Sequence, residues 1–201
     1  MSREIIAILR GLEPHEAPAI TEVLIDAGIT KIEVPLNSPQ PFDSIASMLK
    51  LAGDRAVVGA GTVLEVADVA RLKDIGAQMV VSPDCFADVI RATKAAGMLS
   101  YPGVMTPSEA FAALRAGADG LKFFPGFKLG IDGFKALSAV LPSGTKTYAV
   151  GGASPENFAD WAAAGITGFG IGTAIFKPGF SQAEVAKRAA EIVSAYDEAL
   201  A

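Results

Sequence analysis

Glycines divide this chain into segments of nearly constant length, and this spacing constrains the fold more than any other feature. Seven glycines that follow helix-like segments lie 20 to 27 residues apart. They are Gly28, Gly53, Gly76, Gly97, Gly117, Gly144 and Gly165. Each is predicted to end a helix, because glycine adopts the left-handed conformation of a helix C-terminus without steric strain. A short apolar run typical of a strand follows each glycine, and one more run precedes them all.

Eight strand–helix units result from this spacing. The predicted strands are 5–9, 31–35, 56–60, 79–82, 98–101, 120–124, 147–150 and 168–171. Strands that alternate with helices form a parallel sheet with right-handed crossovers. Eight regular units favour a closed (β/α)8 TIM barrel of the α/β class, with residues 1–201 as a single domain. The active site of such a barrel lies at the C-terminal ends of its strands, so polar residues there are the candidates for function.

Several predicted helix starts carry capping signals. Thr106–Glu109 and Ser181–Glu184 have the spacing of a capping box. Ser154 precedes a proline, which is typical of a cap followed by the first helical residue.

The composition excludes several kinds of partner and of site. The net charge is −5 and no basic cluster is present, so nucleic acid and anionic membranes are poor candidates as partners. No apolar stretch approaches the ~20 residues that cross a bilayer. The single cysteine, Cys85, excludes an intrachain disulfide and fits a cytoplasmic protein. With one histidine besides, His15, the chain cannot build a zinc site of nitrogen and sulfur ligands, and we expect His15 at the surface.

Lys122 lies in the middle of the apolar strand 120–124. A lysine removed from water shifts its pKa readily and can serve as a Schiff-base nucleophile. The alternative is a lysine whose stem packs while its ammonium reaches water, and the strand by itself favours that interpretation. Strand alternation places Leu121 and Phe123 outward against the helices, which points Lys122 into the barrel.

Glu33 is predicted to share this interior, because Ile32 and Val34 face outward from the strand 31–35. A buried ion pair is a weak stabiliser, so functional use explains the two charges better. Burial and a neighbouring cation such as Arg10 would raise the neutral fraction of Lys122. An ionised Glu33 would oppose this effect, so its predicted role is to move protons.

Further polar residues follow the predicted strands. Arg10 ends the first strand, where its guanidinium suits a carboxylate or phosphate but fits a solvated strand end equally well. Thr62 follows the small-residue stretch 59–61, which lets a ligand approach closely, although Thr62 could instead cap a helix. Glycine-rich turns after the last two strands, at 151–152 and within 168–173, are typical of a phosphate site in a barrel.

Five motifs in order resemble a known family. They are Ile-Ala-Ile-Leu-Arg-Gly (6–11), Glu-Val-Pro-Leu-Asn-Ser-Pro (33–39), Gly-Ala-Gly-Thr-Val-Leu (59–64), Leu-Lys-Phe-Phe-Pro (121–125) and Ala-Val-Gly-Gly (149–152). Together they are similar to the KDPG/KHG class I aldolases, which cleave 2-keto-3-deoxy-6-phosphogluconate or its galactonate counterpart. The segments 35–39 and 155–157 resemble the phosphogalactonate branch.

The resemblance implies a retro-aldol reaction that releases pyruvate and glyceraldehyde 3-phosphate from a phosphorylated 2-keto-3-deoxy sugar acid. By matching motif, Lys122 would form the Schiff base and Glu33 would be the general acid/base. The remaining site residues fall into a substrate-binding and a phosphate-binding set. The substrate-binding set is Arg10, Asn37 and Thr62, and the phosphate-binding set is Gly151, Gly152, Gly172 and Thr173. The family also implies a homotrimer that works through the lysine Schiff base and needs no metal and no cofactor.

Three alternatives stay open at this point. The substrate could be the C4 epimer, 2-keto-3-deoxy-6-phosphogluconate, because one hydroxyl orientation depends on small changes in loop geometry. The same barrel could instead carry a phosphosugar epimerase or isomerase, or a phosphosugar-binding protein without catalysis.

Overall fold

Nine strand segments and eight α-helices alternate along residues 3–200, the part of the chain that the computed structural model describes. The strands are β1 (Ile5–Ile8), β2 (Lys31–Pro35), β3 (Val57–Gly61), β4 (Met79–Val81), β5 (Leu99–Tyr101), β6 (Gly103–Val104), β7 (Leu121–Phe123), β8 (Thr147–Val150) and β9 (Gly168–Ile171). The helices are α1 (Ala17–Asp26), α2 (Pro41–Ala52), α3 (Val66–Asp74), α4 (Ala87–Ala95), α5 (Pro107–Ala116), α6 (Gly126–Ser138), α7 (Phe158–Ala163) and α8 (Gln182–Leu200). Residues 1, 2 and 201 of the predicted domain lie outside the described residues.

The strands form a parallel barrel in the order β5-β4-β3-β2-β1-β9-β8-β7-β6. Only Pro102 separates β5 from β6, so the two segments are halves of one strand, which pairs with β4 through its first half and with β7 through its second. The predicted (β/α)8 barrel is therefore confirmed. The predicted fifth strand was too short, because Pro102 and Gly103 are poor strand residues that hide its continuation.

All seven predicted cap glycines have a positive φ, between 52° and 100°. Six of them lie within two residues of a helix end. The prediction for Gly144 was wrong, because α6 ends at Ser138 and Gly144 lies in a later turn. Pro142 explains the early end, since proline cannot continue a helix and disfavours helical conformation in the residue before it.

The capping signals are confirmed to different degrees. Thr106 and Glu109 form a complete capping box at the start of α5. The Ser181 hydroxyl accepts a hydrogen bond of 3.2 Å from the Glu184 N–H. Ser154 caps the short 3-10 turn Pro155–Asn157 instead of an α-helix. No helix within residues 3–200 combines the length and apolarity that crossing a membrane requires.

Strand alternation separates two apolar layers as predicted. Leu121, Phe123, Ile32 and Val34 are fully buried in the outer layer between strands and helices. Each such side chain contributes roughly 1.5–3 kcal/mol by its burial. The inner layer consists of Ile6, Ile8, Met79, Val81, Tyr101, Tyr148 and Val150. This layer fills the barrel and leaves the polar residues of the interior near its two ends.

The N-terminal end of the barrel is closed by a polar network that sequence analysis missed. The Glu4 carboxylate accepts hydrogen bonds from Tyr148 Oη at 2.7 Å and Lys146 Nζ at 3.1 Å, and it pairs with Lys31. These hydrogen bonds outweigh the desolvation of the carboxylate and lower the pKa of Glu4 to about 2. His15 is exposed, as predicted.

Candidate active site

Lys122 lies at the centre of β7 with its side chain inside the barrel. Only 7% of the residue is exposed, and its Nζ lies 4.8 Å from the centre of the Phe124 ring. The Lys122 N–H donates to the Pro102 carbonyl at 2.9 Å, which holds β7 against the interrupted strand. Burial lowers the pKa of Lys122, and the positive charge of Arg10 adds to this effect while Glu33 opposes it. The side chain is therefore closer to the neutral, nucleophilic form than an exposed lysine.

Glu33 lies on β2 and is 2% exposed. Its Oε2 atom is buried without a hydrogen-bond partner. The carboxylate fits because Gly61 has no side chain, since a Cβ atom there would collide with the carboxyl group. Desolvation raises the pKa of Glu33 to about 7, although Lys122 and Arg10 both act to lower it. A carboxyl group with this pKa can give and take a proton near neutral pH.

Lys122 and Glu33 influence each other through space and do not form a close ion pair. Each appears among the charges that shift the pKa of the other. No ion pair of 4.0 Å or less joins them in the described part of the chain. Neither group is committed to a structural salt bridge, so both are free to contact a ligand.

Arg10, Asn37 and Thr62 come together at the C-terminal ends of β1, β2 and β3. The Arg10 guanidinium donates to Asn37 Oδ1 and, at 3.4 Å, to Thr62 Oγ1. Thr62 has a φ of 55°, a conformation that a β-branched residue adopts at a cost of roughly 1–3 kcal/mol. The helix-cap alternative for Thr62 was wrong, because α3 has Glu65 as its N-cap residue and no side-chain cap. The three predicted substrate-binding residues thus form one hydrogen-bonded group.

A cavity of about 700 Å³ opens at the ends of β1, β8 and β9. Its walls include Arg10 and all four residues of the predicted phosphate-binding set, Gly151, Gly152, Gly172 and Thr173. The N–H groups of Gly152, Ala153, Thr173 and Ala174 donate no hydrogen bond within residues 3–200. Backbone donors that converge in this way on one cavity suit an anion.

The large cavity shares part of its lining with the small space around the buried lysine. Lys122 is not on the cavity wall but lines a much smaller void of about 10 Å³. The two spaces share Ile8, Val150 and Gly170, and the Phe124 ring belongs to the cavity wall. Lys122 therefore lies next to the cavity that contains the predicted phosphate-binding turns.

Two polar cavity residues were missed by sequence reasoning, Ser154 and Lys177. Ser154 was interpreted only as a helix cap. Lys177 follows the last strand in a stretch without any periodic pattern, so no local signal indicated its position. Within residues 3–200, no group of three or more His, Cys, Asp or Glu side chains is arranged to hold a metal ion.

Comparison with known proteins gives matches over almost the whole chain. A family model described as "Aldolase: KDPG and KHG aldolase" matches residues 1–191. A probable 2-dehydro-3-deoxy-6-phosphogalactonate aldolase of Rhizobium meliloti (strain 1021) is 51% identical over 98% of this chain and 93% of its own length. The 2-dehydro-3-deoxy-6-phosphogalactonate aldolase of Escherichia coli (strain K12) is 46% identical over 98% of this chain and 96% of its own. The KHG/KDPG aldolase of the same organism is 32% identical over 79% of this chain and 73% of its own.

Solved structures agree with these relatives. A native KDPGal structure has a TM-score of 0.98 and 46% identity, covering 100% of this chain and 97% of that one. The KDPG aldolase of Legionella pneumophila, solved with pyruvate captured at low pH as a covalent carbinolamine intermediate, has a TM-score of 0.82 and 25% identity. It covers 98% of this chain and 94% of its own. The residues matched by the family model include every residue of the candidate site.

Proposed function

The chain belongs to the KDPG and KHG aldolase family, and from this membership we propose that it cleaves 2-dehydro-3-deoxy-6-phosphogalactonate to pyruvate and glyceraldehyde 3-phosphate. The phosphogalactonate assignment is supported by identities of 51% and 46% to relatives of that name, against 32% to the KHG/KDPG aldolase. The same retro-aldol reaction on the C4 epimer, 2-dehydro-3-deoxy-6-phosphogluconate, is the second candidate.

In the proposed mechanism Lys122 is the nucleophile. Its neutral amine adds to the C2 ketone of the substrate to give a carbinolamine, which loses water to give an iminium ion. The iminium draws electrons from the C3–C4 bond once the C4 hydroxyl loses its proton. Glyceraldehyde 3-phosphate leaves, and the remaining enamine is protonated at C3 and hydrolysed to pyruvate. The lowered pKa of Lys122 supports this role, because only the neutral amine can attack.

Glu33 moves the protons in these steps. A pKa of about 7 lets its carboxyl group protonate the departing hydroxide of the carbinolamine and then, as the carboxylate, accept the C4 hydroxyl proton, directly or through a water molecule. Its Oε2 atom has no protein partner to compete with a reacting group.

The remaining residues hold the two ends of the substrate. Asn37 and Thr62 fix the guanidinium of Arg10. Arg10 binds the substrate near its reacting end, because its charge influences the pKa of both Lys122 and Glu33. The turns at 151–152 and 172–173 present free N–H groups to the phosphate. Binding energy from the remote phosphate then orients the reacting carbons.

The observation that carries the proposal is a buried lysine with a lowered pKa, next to a cavity lined by glycine-rich turns with free backbone N–H groups. The test is reduction with borohydride in the presence of pyruvate, followed by peptide mass analysis. We expect one pyruvate-derived adduct per chain, on Lys122. The matched control is Lys187→Ala, which removes an exposed lysine of α8 outside the cavity and leaves both trapping and turnover intact.

Two results would contradict the proposal: an unmodified Lys122 in the wild-type protein, or full turnover in Lys122→Ala. Conversion of the phosphorylated acid without release of pyruvate would indicate an epimerase or isomerase instead. We propose a reaction that runs on the lysine Schiff base without a metal, so turnover should persist after dialysis against a chelator.

The choice between the epimers is tested by measuring kcat/KM for the two purified 6-phosphates side by side. A higher value for the galactonate is expected. A higher value for the gluconate would reverse the substrate assignment without affecting the Schiff-base mechanism.

We also propose a homotrimer that acts in the cytoplasm. Large apolar side chains remain 39% to 45% exposed in the segments that follow neighbouring strands, on loops or at the start of α3, namely Leu64, Val66, Phe86 and Met105. Light scattering should give three times the chain mass, and Phe86→Asp should dissociate the assembly. Val140→Asp, at an exposed position outside these loops, is the matched control.

A further inference from the structure

The charged lining of the large cavity is of one sign. Among the described residues that line it, only Arg10 and Lys177 carry a charge, and both are cations. The whole chain has a net charge of −5, so the composition alone does not explain this bias. A cavity with two cations and several free backbone N–H groups is suited to a negatively charged ligand.

The two cations lie in different electrical surroundings. Arg10 is hydrogen-bonded to Asn37 and Thr62, and its charge reaches Glu33 and Lys122. Lys177 is exposed and makes no side-chain hydrogen bond or ion pair within residues 3–200. Arg10 is therefore held by its neighbours, whereas the ammonium of Lys177 is available to a ligand in the cavity.

The backbone that presents Lys177 is fixed by a tight turn. The Phe180 N–H donates to the Lys177 carbonyl at 3.0 Å, with Pro178 and Gly179 between them. Gly179 has a φ of 87°, which together with the preceding proline is typical of a type II turn. Pro178 packs closely against the turn after β1, where a Cβ atom on Gly11 would lie 2.7 Å from Pro178 Cγ.

The segment on either side of this turn is also held. Ile175 and Phe176 are buried on the chain before Lys177. Arg188 of α8 donates to the Ala174 carbonyl at 3.3 Å and places its guanidinium 4.7 Å from the centre of the Phe180 ring. An exposed lysine on a backbone held at several points thus lines the cavity, four residues after the predicted phosphate-binding turn that ends at Thr173.

We propose that Lys177 binds the substrate phosphate and sets the preference of the enzyme for phosphorylated over unphosphorylated 2-keto-3-deoxy acids. The inference rests on the proposed aldolase function. A phosphate monoester carries nearly two negative charges at neutral pH, and lysine acts as a point-charge partner for such a group. The backbone N–H groups orient the phosphate, and Lys177 supplies the full positive charge that they lack.

The test compares kcat/KM for 2-keto-3-deoxy-6-phosphogalactonate with kcat/KM for the unphosphorylated acid. In Lys177→Met, which keeps the stem and removes the charge, the ratio should fall about 10- to 100-fold, mainly through the KM of the phosphorylated acid. Lys177→Arg should restore most of the ratio. Lys187→Met, which removes an exposed lysine of α8 outside the cavity, should match the wild type.

An unchanged ratio in Lys177→Met would overturn the inference, as would an equal loss for both acids. Unfolding midpoints show whether the variant is folded, and Lys177→Gln repeats the test with a second neutral side chain. Borohydride trapping of pyruvate by the wild type tests the aldolase proposal separately. If the wild type is trapped but the kcat/KM ratio is unchanged in the Lys177 variants, only the role of Lys177 is refuted. If the wild type is not trapped, the aldolase function is refuted.

Discussion

Burial inside the barrel favours the uncharged forms of two side chains of opposite charge, Lys122 and Glu33. The pKa of Lys122 is lowered and that of Glu33 is raised to about 7, and loss of hydration is the leading cause of both shifts. The charge of ionised Glu33 raises the pKa of Lys122, and the charge of Lys122 lowers the pKa of Glu33, so each opposes part of the shift caused by burial. A proton on Glu33 removes the charge that favours the ammonium, which shifts Lys122 further toward the neutral amine. The neutral amine is the form from which the proposed addition to a ketone starts.

The raised pKa of Glu33 predicts a pH dependence of stability. A carboxyl group with a pKa of 4.5 in the unfolded chain and about 7 in the folded one binds more protons when folded over that interval. As the pH rises from 4.5 to 7, the free energy of unfolding of the wild type should therefore fall by on the order of 1–3 kcal/mol relative to that of Glu33→Gln. Urea unfolding of both proteins at pH 5 and pH 8 measures this difference. The same difference at both pH values would show that Glu33 is not a high-pKa carboxyl group.

The left-handed conformation of Thr62 predicts that stability and activity separate there. Thr62→Gly relieves strain of roughly 1–2 kcal/mol and adds about 0.5–1 kcal/mol of backbone entropy to the unfolded chain. The variant should be as stable as the wild type or slightly more so, while KM rises because Arg10 loses an acceptor. Thr62→Val loses the same hydroxyl but keeps the strain, so it should unfold at a lower temperature than Thr62→Gly. The reverse order of unfolding temperatures would mean that position 62 is not strained.

Strands and their inward faces were predictable because both depend on local spacing. Lys31–Pro35, Thr147–Val150 and Gly168–Ile171 begin and end as the sequence predicts. The two-residue period of a strand gave the inward faces of Lys122 and Glu33. The interrupted fifth strand was not predictable, because its second half, Gly103–Val104, is recognised only through its pairing with a strand further along the chain.

Site residues that follow a strand directly were predictable, and those on later loops were not. Arg10 and Thr62 lie within two residues of the end of a barrel strand, so the fold itself places them at the catalytic end. Lys177 lies six residues beyond its strand, and the position of its segment depends on contacts that its neighbours make with Gly11 and with Arg188 of α8. The Glu4 network joins residues 142 and 144 positions apart in sequence, a separation that leaves no local pattern.

Two glycines of β3 should respond differently to alanine. A Cβ atom on Gly59 would collide with the backbone carbonyl of Met79, and one on Gly61 would collide with the Glu33 side chain. Gly59→Ala should therefore destabilise the fold by about 1–3 kcal/mol, because the β3–β4 pairing must shift. Gly61→Ala should mainly reduce kcat, because the carboxyl group can rotate away at a smaller cost in stability.

A double-mutant cycle separates the two effects. In a Glu33→Ala background the remaining stability cost of Gly61→Ala should largely disappear, whereas that of Gly59→Ala should persist. Urea unfolding gives the stabilities, and initial rates give kcat for the single glycine variants. An unchanged kcat in Gly61→Ala would show that this glycine does not position the Glu33 carboxylate.

The barrel as a whole divides stability and chemistry between its two ends. The C-terminal end contains strained and partner-free groups, including the Thr62 backbone and the Glu33 carboxylate. The N-terminal end contains a carboxylate, Glu4, whose hydrogen bonds come from β2 and from β8 and the residue before it. Substitutions at the two ends should accordingly change different measurable quantities.

Glu4→Gln tests this division at the stabilising end. The pKa of Glu4 is lowered from 4.5 to about 2, so its ionised form contributes stability that is complete above pH 4.5 and is lost as the pH falls toward 2. Allowing for partial exposure, the variant should lose about 1–3 kcal/mol of unfolding free energy at pH 7, since Lys31 also loses its partner.

The stability deficit of Glu4→Gln should shrink as the pH falls to 3. Its kcat and KM at pH 7 should stay at wild-type values, because Glu4 lies at the end of the barrel opposite the cavity. Urea unfolding at both pH values and initial-rate kinetics measure these quantities. A loss of kcat in the folded variant would show that the two ends of the barrel are coupled.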